Sequence, residues 1–474
     1  MALRAERGLD RPPMKLTPIS IPSRKDFTKA LEATNSQIRS IFVDPAKRMS
    51  TGTSSEQAEA DEKTITEALA HADVRINGER PWDIHIHDKR FFRRVMAHGT
   101  MGFGESYMEG WWDCADLEEL CFRCINAHVE EKLTPHVQSI VEVAFSGLLH
   151  MHEKKKDENG FIAHYDLGND FFESMLDPAM QYSCAYFEGT SDLGIAQRLK
   201  MGLICQKLGI RPGMRVLDIG CGWGGLAKYA AEHFGCSVTG ITLSENQKAY
   251  AEKSCSGLSV EIRLQDYRDV SEPFDRIMSV GMLEHVGHSN YGKYMEVASR
   301  CLKPDGLFLC HTITGNKTRT DCDPWITRYI FPNSLLPSAS RVLQASEGRF
   351  ILEDVQNLGT HYAPTLAAWE RAFSNSCDQF RARYGDKFLR MWRLYLLSCA
   401  GAFRARSLQV LQFLFSKSES GDIGMASAIR SARHPILPER YPYHSQPGLT
   451  MEEVIESGTM ARKDAESSKP ETDA

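Results

Sequence analysis

Residues 216–225 constrain this chain more than any other stretch. Val216, Leu217 and Ile219 surround Asp218, and Gly220, Gly222, Gly224 and Gly225 follow within six positions. An apolar run leading straight into clustered glycines reads as a buried strand ending in a tight turn, with a helix expected over residues 226–234. Glycine takes φ > 0 without a Cβ clash and lets a ligand come close to the backbone. In an open α/β sheet, the turn at the carboxyl end of the first strand is where a nucleotide-like ligand sits. The order is D-x-G-C-G-x-G-G, which differs from the dinucleotide spacing G-x-G-x-x-G. Asp218, Gly220, Gly222 and Gly224 are therefore candidate cofactor contacts, and a purely structural turn is the alternative.

The next segments alternate in kind. Ser237–Thr242 reads as a strand after Gly235, a helix stop. Ser244 then N-caps a helix, with Gln247 three residues on as its capping-box partner. Thr242, Ser244 and Gln247 are either a satisfied helix end or contacts to the ribose and methionine ends of a cofactor. Val260–Leu264 is a third strand; beyond it Asp266 accepts from an exocyclic amine or simply forms the turn, and Tyr267 is placed to stack on a purine. Phe274–Val280 is a fourth strand, and residues 307–313 a fifth, entered through the turn Pro304, Asp305, Gly306. Strands at 350–355 and 407–415 complete seven, with an antiparallel edge. Strand–helix alternation implies a doubly wound α/β sheet. Glu284 and His311 follow the ends of neighbouring strands, on the ligand rim. Taken singly, Glu284 also suits a helix N-terminus and His311 a half-buried strand position.

Several motifs together resemble cyclopropane-fatty-acyl-phospholipid synthases. They are His164-Tyr165-Asp166-Leu167-Gly168-Asn169-Asp170-Phe171-Phe172, Asp177-Pro178, Tyr182-Ser183-Cys184-Ala185-Tyr186-Phe187, the glycine turn, residues 242–247, 264–269 and 281–287, and His311-Thr312-Ile313. Asp323-Pro324-Trp325-Ile326, Tyr329-Ile330-Phe331-Pro332 and Cys399-Ala400-Gly401-Ala402-Phe403-Arg404 continue the match, which runs from about residue 70 to about 418. The resemblance implies a class I S-adenosylmethionine-dependent methyltransferase, a Rossmann-like seven-stranded α/β fold with a smaller N-terminal lipid-binding domain. It implies transfer of a methylene from S-adenosylmethionine to the cis double bond of a phospholipid acyl chain. Bound bicarbonate serves as base, held by Cys184, Glu284, His311, Ile313 through its backbone, and Tyr362. A protonated Glu284 with donors from His311 and Tyr362 suits an anion. Tyr182 and Ser183 would touch the methionine part of the cofactor. Cys399 matches the family's active-site cysteine, although its helical apolar surroundings favour a structural thiol. The front region around Gly99 to Trp112 is missing from mycolic-acid-modifying relatives, which favours ordinary membrane phospholipids.

The chemistry asks for what such a site provides. An alkene is a weak nucleophile, so the sulfonium must be held in line with it. A dry site protects the carbocation that forms, and aromatic or anionic groups stabilise it. A base then removes a proton and the ring closes.

Composition is compatible with this. The 474-residue chain is 42% apolar and 25% charged, as in folded proteins. A net charge of −6 argues against nucleic-acid binding, and 13 scattered cysteines suggest a reducing, cytoplasmic setting. Cys121 and Cys124 suit helix positions i and i+3 better than zinc, so no metal is expected. His85 and His87 read as a surface strand. No apolar run approaches the roughly 18 residues that span a bilayer. Lys89, Arg90, Arg93 and Arg94 with Phe91 and Phe92 suit either peripheral contact with anionic headgroups or a solvated helix face with the aromatics turned inward. Gly99, Gly102, Gly104 and Gly110 among Tyr107, Trp111 and Trp112 suggest a turn-rich lobe, with helices expected over 117–129 and 134–150. The lid over the acyl chain is expected at 325–345, with Phe331, Leu335 and Leu336 as walls.

The domain plan is a largely disordered extension (1–65), a lipid-binding domain (66–150), the catalytic domain (151–420) and a largely disordered tail (421–474). A short helix at 25–41 and a lysine-rich linker at 154–156 are further expectations, and a homodimer is compatible with the family. Two other readings compete: a methyl-branched fatty acyl synthase or amine N-methyltransferase of the same fold, and a non-catalytic lipid carrier.

Overall fold

The structure, a computed structural model, describes residues 55–133, 167–319, 322–332 and 334–417. The expected helices at 25–41 and 134–150, the linker at 154–156, the motif residues His164 to Asp166 and the tail lie outside the described residues. From residue 60 onward the described residues form one compact unit.

In chain order, the front region contains α1 (Ser55–His71), β1 (His85–Ile86), α2 (Arg90–Met108), β2 (Trp112–Asp113), α3 (Leu117–Asn126) and α4 (Val129–Leu133). Next come α5 (Asn169–Glu173) and α6 (Leu193–Lys207), then β3 (Arg215–Ile219), α7 (Gly225–Phe234), β4 (Ser237–Thr242), α8 (Glu245–Ser254), β5 (Val260–Leu264) and β6 (Phe274–Val280). The chain continues through α9 (Tyr291–Cys301), β7 (Leu302–Gly315), α10 (Pro324–Tyr329), α11 (Ala339–Ser346), β8 (Phe350–Asn357), α12 (Tyr362–Ser376), α13 (Asp378–Arg404) and β9 (Leu408–Lys417).

The seven strands lie in the order β5-β4-β3-β6-β7-β9-β8. The first five are parallel, and β9 runs antiparallel between β7 and β8. Successive side chains alternate faces, so apolar runs serve two layers at once. Val216, Met278, Leu307 and Leu309 pack under Ile204, Cys205 and Leu208 of α6 and Leu226 and Ala230 of α7. Leu217, Ile277, Phe308, Phe413 and Phe415 pack with Tyr294 and Met295 of α9 on the other face. This is the expected doubly wound α/β architecture. β7 begins earlier than expected: Leu302 already pairs with Phe274, and the register shifts before Leu307 meets Arg276. Pro304, Asp305 and Gly306 are thus an excursion within a strand, not its entrance.

Most glycines of the front region do different work from the turns expected of them. Gly99, Gly102 and Gly104 lie in helix α2, which kinks at Gly99 (φ 54°, ψ −130°), while Gly110 (φ 74°) makes the turn that follows it. A Cβ on Gly104 would stand 2.4 Å from the Trp325 indole. Close packing, not reversal of direction, explains the residue. The helix expected over 117–129 breaks at His128, whose φ is 52°. Asp83, at the start of the supposed surface strand, is fully buried and receives the Arg75 and Arg80 amides and the Arg80 guanidinium.

Phe91, Phe92 and Val95 enter the core. Their neighbouring cations are engaged: Lys89 with Glu62 (3.3 Å), Arg90 with Asp88 (2.5 Å), Arg93 with Asp61 (3.4 Å) and Arg94 with Glu105 and Glu109 (2.6 Å each). Arg90 and Arg94 also lie over the Trp111 ring. The aromatics of this segment face inward, a packing compatible with either reading of its cations.

At the first turn, Gly224 caps α7 in the left-handed region (φ 83°) without a side-chain bond. A Cβ on Gly225 would stand 1.9 Å from the Ala179 carbonyl oxygen, whereas Gly222 (φ 54°) has open space around it. Gly225→Ala should therefore cost about 3 kcal/mol through overpacking. Gly222→Ala should cost about 1 kcal/mol through backbone strain alone. Urea denaturation of the ligand-free protein measures both, and equal losses would remove the Ala179 contact as the cause.

Candidate functional site

Segment 177–184 crosses the carboxyl end of the sheet, pinned from below by α6. Asp177 closes its turn by accepting the Ala179 and Gln181 amides, both at 2.9 Å. Gln197 of α6 donates to the carbonyls of Ser183 (2.9 Å) and Gln181 (3.3 Å). Lys200, one turn on, donates to Gln181 Oε1 (2.7 Å) and Ser183 Oγ (2.8 Å). Tyr182 points elsewhere, its hydroxyl 2.8 Å from that of Tyr395 and its ring 5.0 Å from Trp369. Cys184 is buried, its thiol donating to the Leu358 carbonyl (3.6 Å), and burial pushes its pKa up. The Ala185 amide is held by Thr365 Oγ1 on α12 (3.1 Å).

Asp218 lies on β3, opposite Gly240 and Met278. Burial raises its pKa to about 7, opposed by the Lys200 charge, and its Oδ2 accepts no hydrogen bond. Beyond β4, Ser244 caps α8 as expected, accepting the Gln247 amide at 3.3 Å. The capping box is not completed. Gln247 Oε1 accepts from Thr242 Oγ1 (2.9 Å), and Thr242 Oγ1 takes the Ser244 amide (3.2 Å). Thr242 preceding the cap is the stronger competitor for that side chain.

Asp266 takes the turn role. It caps Tyr267–Asp269, and Arg268 occupies both carboxylate oxygens at 2.9 and 2.7 Å. That guanidinium holds Asp266 below its ordinary pKa. Tyr267 is buried, edge-on to Tyr294 at 5.6 Å, and belongs to the core rather than to an open stacking platform. Leu243 and Leu264, which the sequence reading passed over, are the exposed apolar side chains at this rim.

On the far side, Glu284 sits in the single turn Leu283–His285. Its Oε1 accepts the Ile313 amide at 2.7 Å, while its buried Oε2 accepts none. Burial raises this carboxyl to about 7, with the Ile313 amide and the Thr312 hydroxyl pulling the other way. The Ile313 amide is thus spent on Glu284, and the Ile313 carbonyl accepts the Thr312 hydroxyl at 3.2 Å.

Tyr362 opens α12. Burial, then Cys184, Tyr182, Glu284 and Cys399, hold its phenol far above the ordinary range. These residues are therefore neighbours. His311 shares no hydrogen bond with them. It stands opposite Gln412 on β9, whose amide nitrogen is 3.2 Å from Nδ1. Burial, then Lys200 and Lys207, lower His311 to about 3, so it is neutral at pH 7. Cys399 lies on α13, its thiol pushed up to about 12 by burial, a value that keeps it protonated and poorly nucleophilic.

Phe331, Leu335 and Leu336 join the same centre. Asp323 caps α10 through the Trp325 and Ile326 amides. Phe331 packs 5.7 Å from Tyr395. The Leu335 amide donates to the Glu284 carbonyl (3.2 Å), and the Leu336 carbonyl faces His288 Nε2 (3.3 Å). Lys200, Gln197, Thr365 and Gln412 were missed by the sequence reading. The signal for the first two was present: Gln197 and Lys200, three apart, interrupt the apolar face formed by Ala196, Leu199 and Ile204.

The profile of the family described as mycolic acid cyclopropane synthetase matches residues 152–413. The cyclopropane-fatty-acyl-phospholipid synthase of Escherichia coli (strain K12) is 46% identical over 371 residues, covering 78% of this chain and 96% of that protein. The solved structure of the cyclopropane synthase MmaA2 from Mycobacterium tuberculosis covers 54% of this chain and 97% of its own, at 35% identity and a TM-score of 0.52. The crystal structure of mycolic acid cyclopropane synthase CmaA1 complexed with SAH and CTAB gives 54%, 97%, 36% and 0.50 in the same measures. The chain belongs to the mycolic acid cyclopropane synthetase family and is an S-adenosylmethionine-dependent methyltransferase.

Proposed function

We propose that this enzyme adds a methylene carbon from S-adenosylmethionine across the cis double bond of unsaturated phospholipid acyl chains, with bicarbonate held among Cys184, Glu284, His311, Ile313 and Tyr362. The observation that carries the reading is Glu284 Oε2, a buried carboxyl oxygen without a hydrogen bond. An orphaned polar atom in a dry site calls for a partner. A carboxyl whose pKa is about 7 can stand protonated and donate to an anion. The neutral His311 imidazole and the protonated Tyr362 phenol each carry one proton to donate. Phospholipid as substrate is favoured because the Escherichia coli relative, named for it, matches the front region as well, whereas MmaA2 covers 54% of this chain.

When bound, S-adenosylmethionine supplies an electrophilic methyl group and bicarbonate a base. The chain does the rest. Residues 182–184, the glycine turn and the Thr242–Ser244–Gln247 network orient the donor. Tyr182, Trp369, Tyr362 and Phe403 form a continuous series of ring contacts between 4.5 and 6.0 Å. They exclude water and present π faces to positive charge. Cys399 serves as a neutral wall. In this reading residues 66–150 meet the lipid, and the protein is cytoplasmic and peripherally associated with the membrane. No helix among the described residues is long and apolar enough to cross one.

The test is incubation of the purified protein with labelled S-adenosylmethionine and unsaturated phospholipid vesicles, with and without bicarbonate. Expected is loss of the alkene, gain of one carbon and two hydrogens per chain, and upfield ring-proton resonances. Methyl branching without those resonances, or label in a soluble amine, would overturn the reading.

Glu284→Gln should lower turnover about 100-fold while leaving S-adenosylhomocysteine affinity within about twofold; parallel loss of both would exclude an anion-binding role. A pH effect on folding follows as well. Because burial raises this carboxyl from 4.5 to about 7, its protonated form favours the folded state. That contribution is complete below pH 4.5 and is lost as pH rises through about 7. In ligand-free protein, the stability of wild type relative to Glu284→Gln should therefore fall between pH 4.5 and pH 8 in urea titrations; a rise would contradict the assignment.

A further inference from the structure

Lys200 has no part in the reaction outlined above, yet it is among the most completely enclosed side chains of the described residues. Burying an ammonium is costly unless polar partners surround it. A methionine of similar length would fill the same slot without that cost. The return must therefore come from what the ammonium holds. It donates to Gln181 Oε1 (2.7 Å) and Ser183 Oγ (2.8 Å), the residues either side of Tyr182. Gln197 grips the carbonyls of the same two residues. In an extended segment alternate residues face one side. With Gln181 and Ser183 held toward α6, Tyr182 is left to reach Tyr395, and Cys184 to reach Leu358. The Gln181 amide also lies where a Cβ on Gly225 would intrude, at 2.6 Å, so the clamp adjoins the glycine turn. Asp218, with its unbonded Oδ2, is within electrostatic reach of Lys200 on the other flank.

We propose that Lys200 is a positioning residue for the methyl donor: with Gln197 it clamps Gln181 and Ser183 and so sets the shape in which residues 182–184 and the glycine turn together receive the donor's methionine end. This rests on the reading of that rim as the donor site given above.

The test measures S-adenosylhomocysteine binding by calorimetry on the full chain, with unfolding followed in parallel. Wild type is the control for the underlying reading; if it fails to bind, both that reading and this inference fall. Lys200→Met should weaken binding about tenfold while unfolding stays cooperative, the loss expected of hydrogen bonds from a charged donor. Gln181→Met keeps the lysine and removes one arm of the clamp. It should weaken binding about threefold, and Lys200→Met added to it should cost less than in the wild-type background. Should Lys200→Met not fold, Gln181→Met decides alone. A purely structural lysine would lower the unfolding midpoint and leave affinity unchanged in the folded variants. Unchanged affinity in Lys200→Met, or in Gln181→Met where that variant decides, overturns the proposal.

Discussion

Exclusion of water sets the charge of four buried groups around the carboxyl end of the sheet. Burial is the first cause of the shift at Glu284 and Asp218, which it raises to about 7, and at Lys200 and His311, which it lowers to about 8 and about 3. Four groups of opposite kinds are thus driven toward neutrality by one physical effect. The consequence for a methyl transfer that moves positive charge from sulfur to carbon is direct. Under the proposed function, fixed dipoles and aromatic faces, not a dense set of full charges, would form the surroundings of that charge. A group held close to its neutral form also exchanges a proton at modest cost, the property required near a deprotonation step.

What the sequence made legible divides by the range of the interaction that decides it. The parallel strands Ser237–Thr242, Val260–Leu264 and Phe274–Val280 were readable to the residue because continuous apolar runs bounded by glycine or polar turns are local signals. The Ser244 cap was local too. The errors arose where a distant partner decides. Gly104 looks like a turn former until Trp325, more than 200 residues away, is found against it. Tyr267 was read as a face for a purine, and Tyr294 packs against it; Asp266, read as either a turn former or a nucleotide contact, takes the turn role with its neighbour Arg268. Cys184, Ile313 and Tyr362 were named from family motifs alone, whereas Glu284 was also legible from its place at a strand end; nothing in their spacing would have placed a residue at 184 beside one at 362. Lys200 was visible as a polar break on an apolar face, but its partners lie in a loop whose path a periodicity argument does not trace.

The helix α13 explains why the front region and the site are one physical object. Its Tyr395 meets Tyr182, and its Phe403 packs 4.5 Å from Tyr362. The same helix grips the front region. Arg390 donates to the carbonyls of Tyr107 and Trp112 and to Asp113. Arg404 pairs with Glu118 and Glu119, and a Cβ on Gly401 would stand 2.8 Å from the Glu118 carbonyl. From the other side, α2 holds α10: Glu105 accepts the Tyr329 hydroxyl at 2.7 Å, and Trp325 fills the space left by Gly104. The rings that border the site are therefore anchored through two helices to residues that precede the glycine turn by about a hundred positions. Packed interiors transmit displacement because they have little free volume. A shift of α2 against the remainder would move Tyr329 and Trp325 with it, and with them the residues after α10, where the Leu335 amide donates to the Glu284 carbonyl.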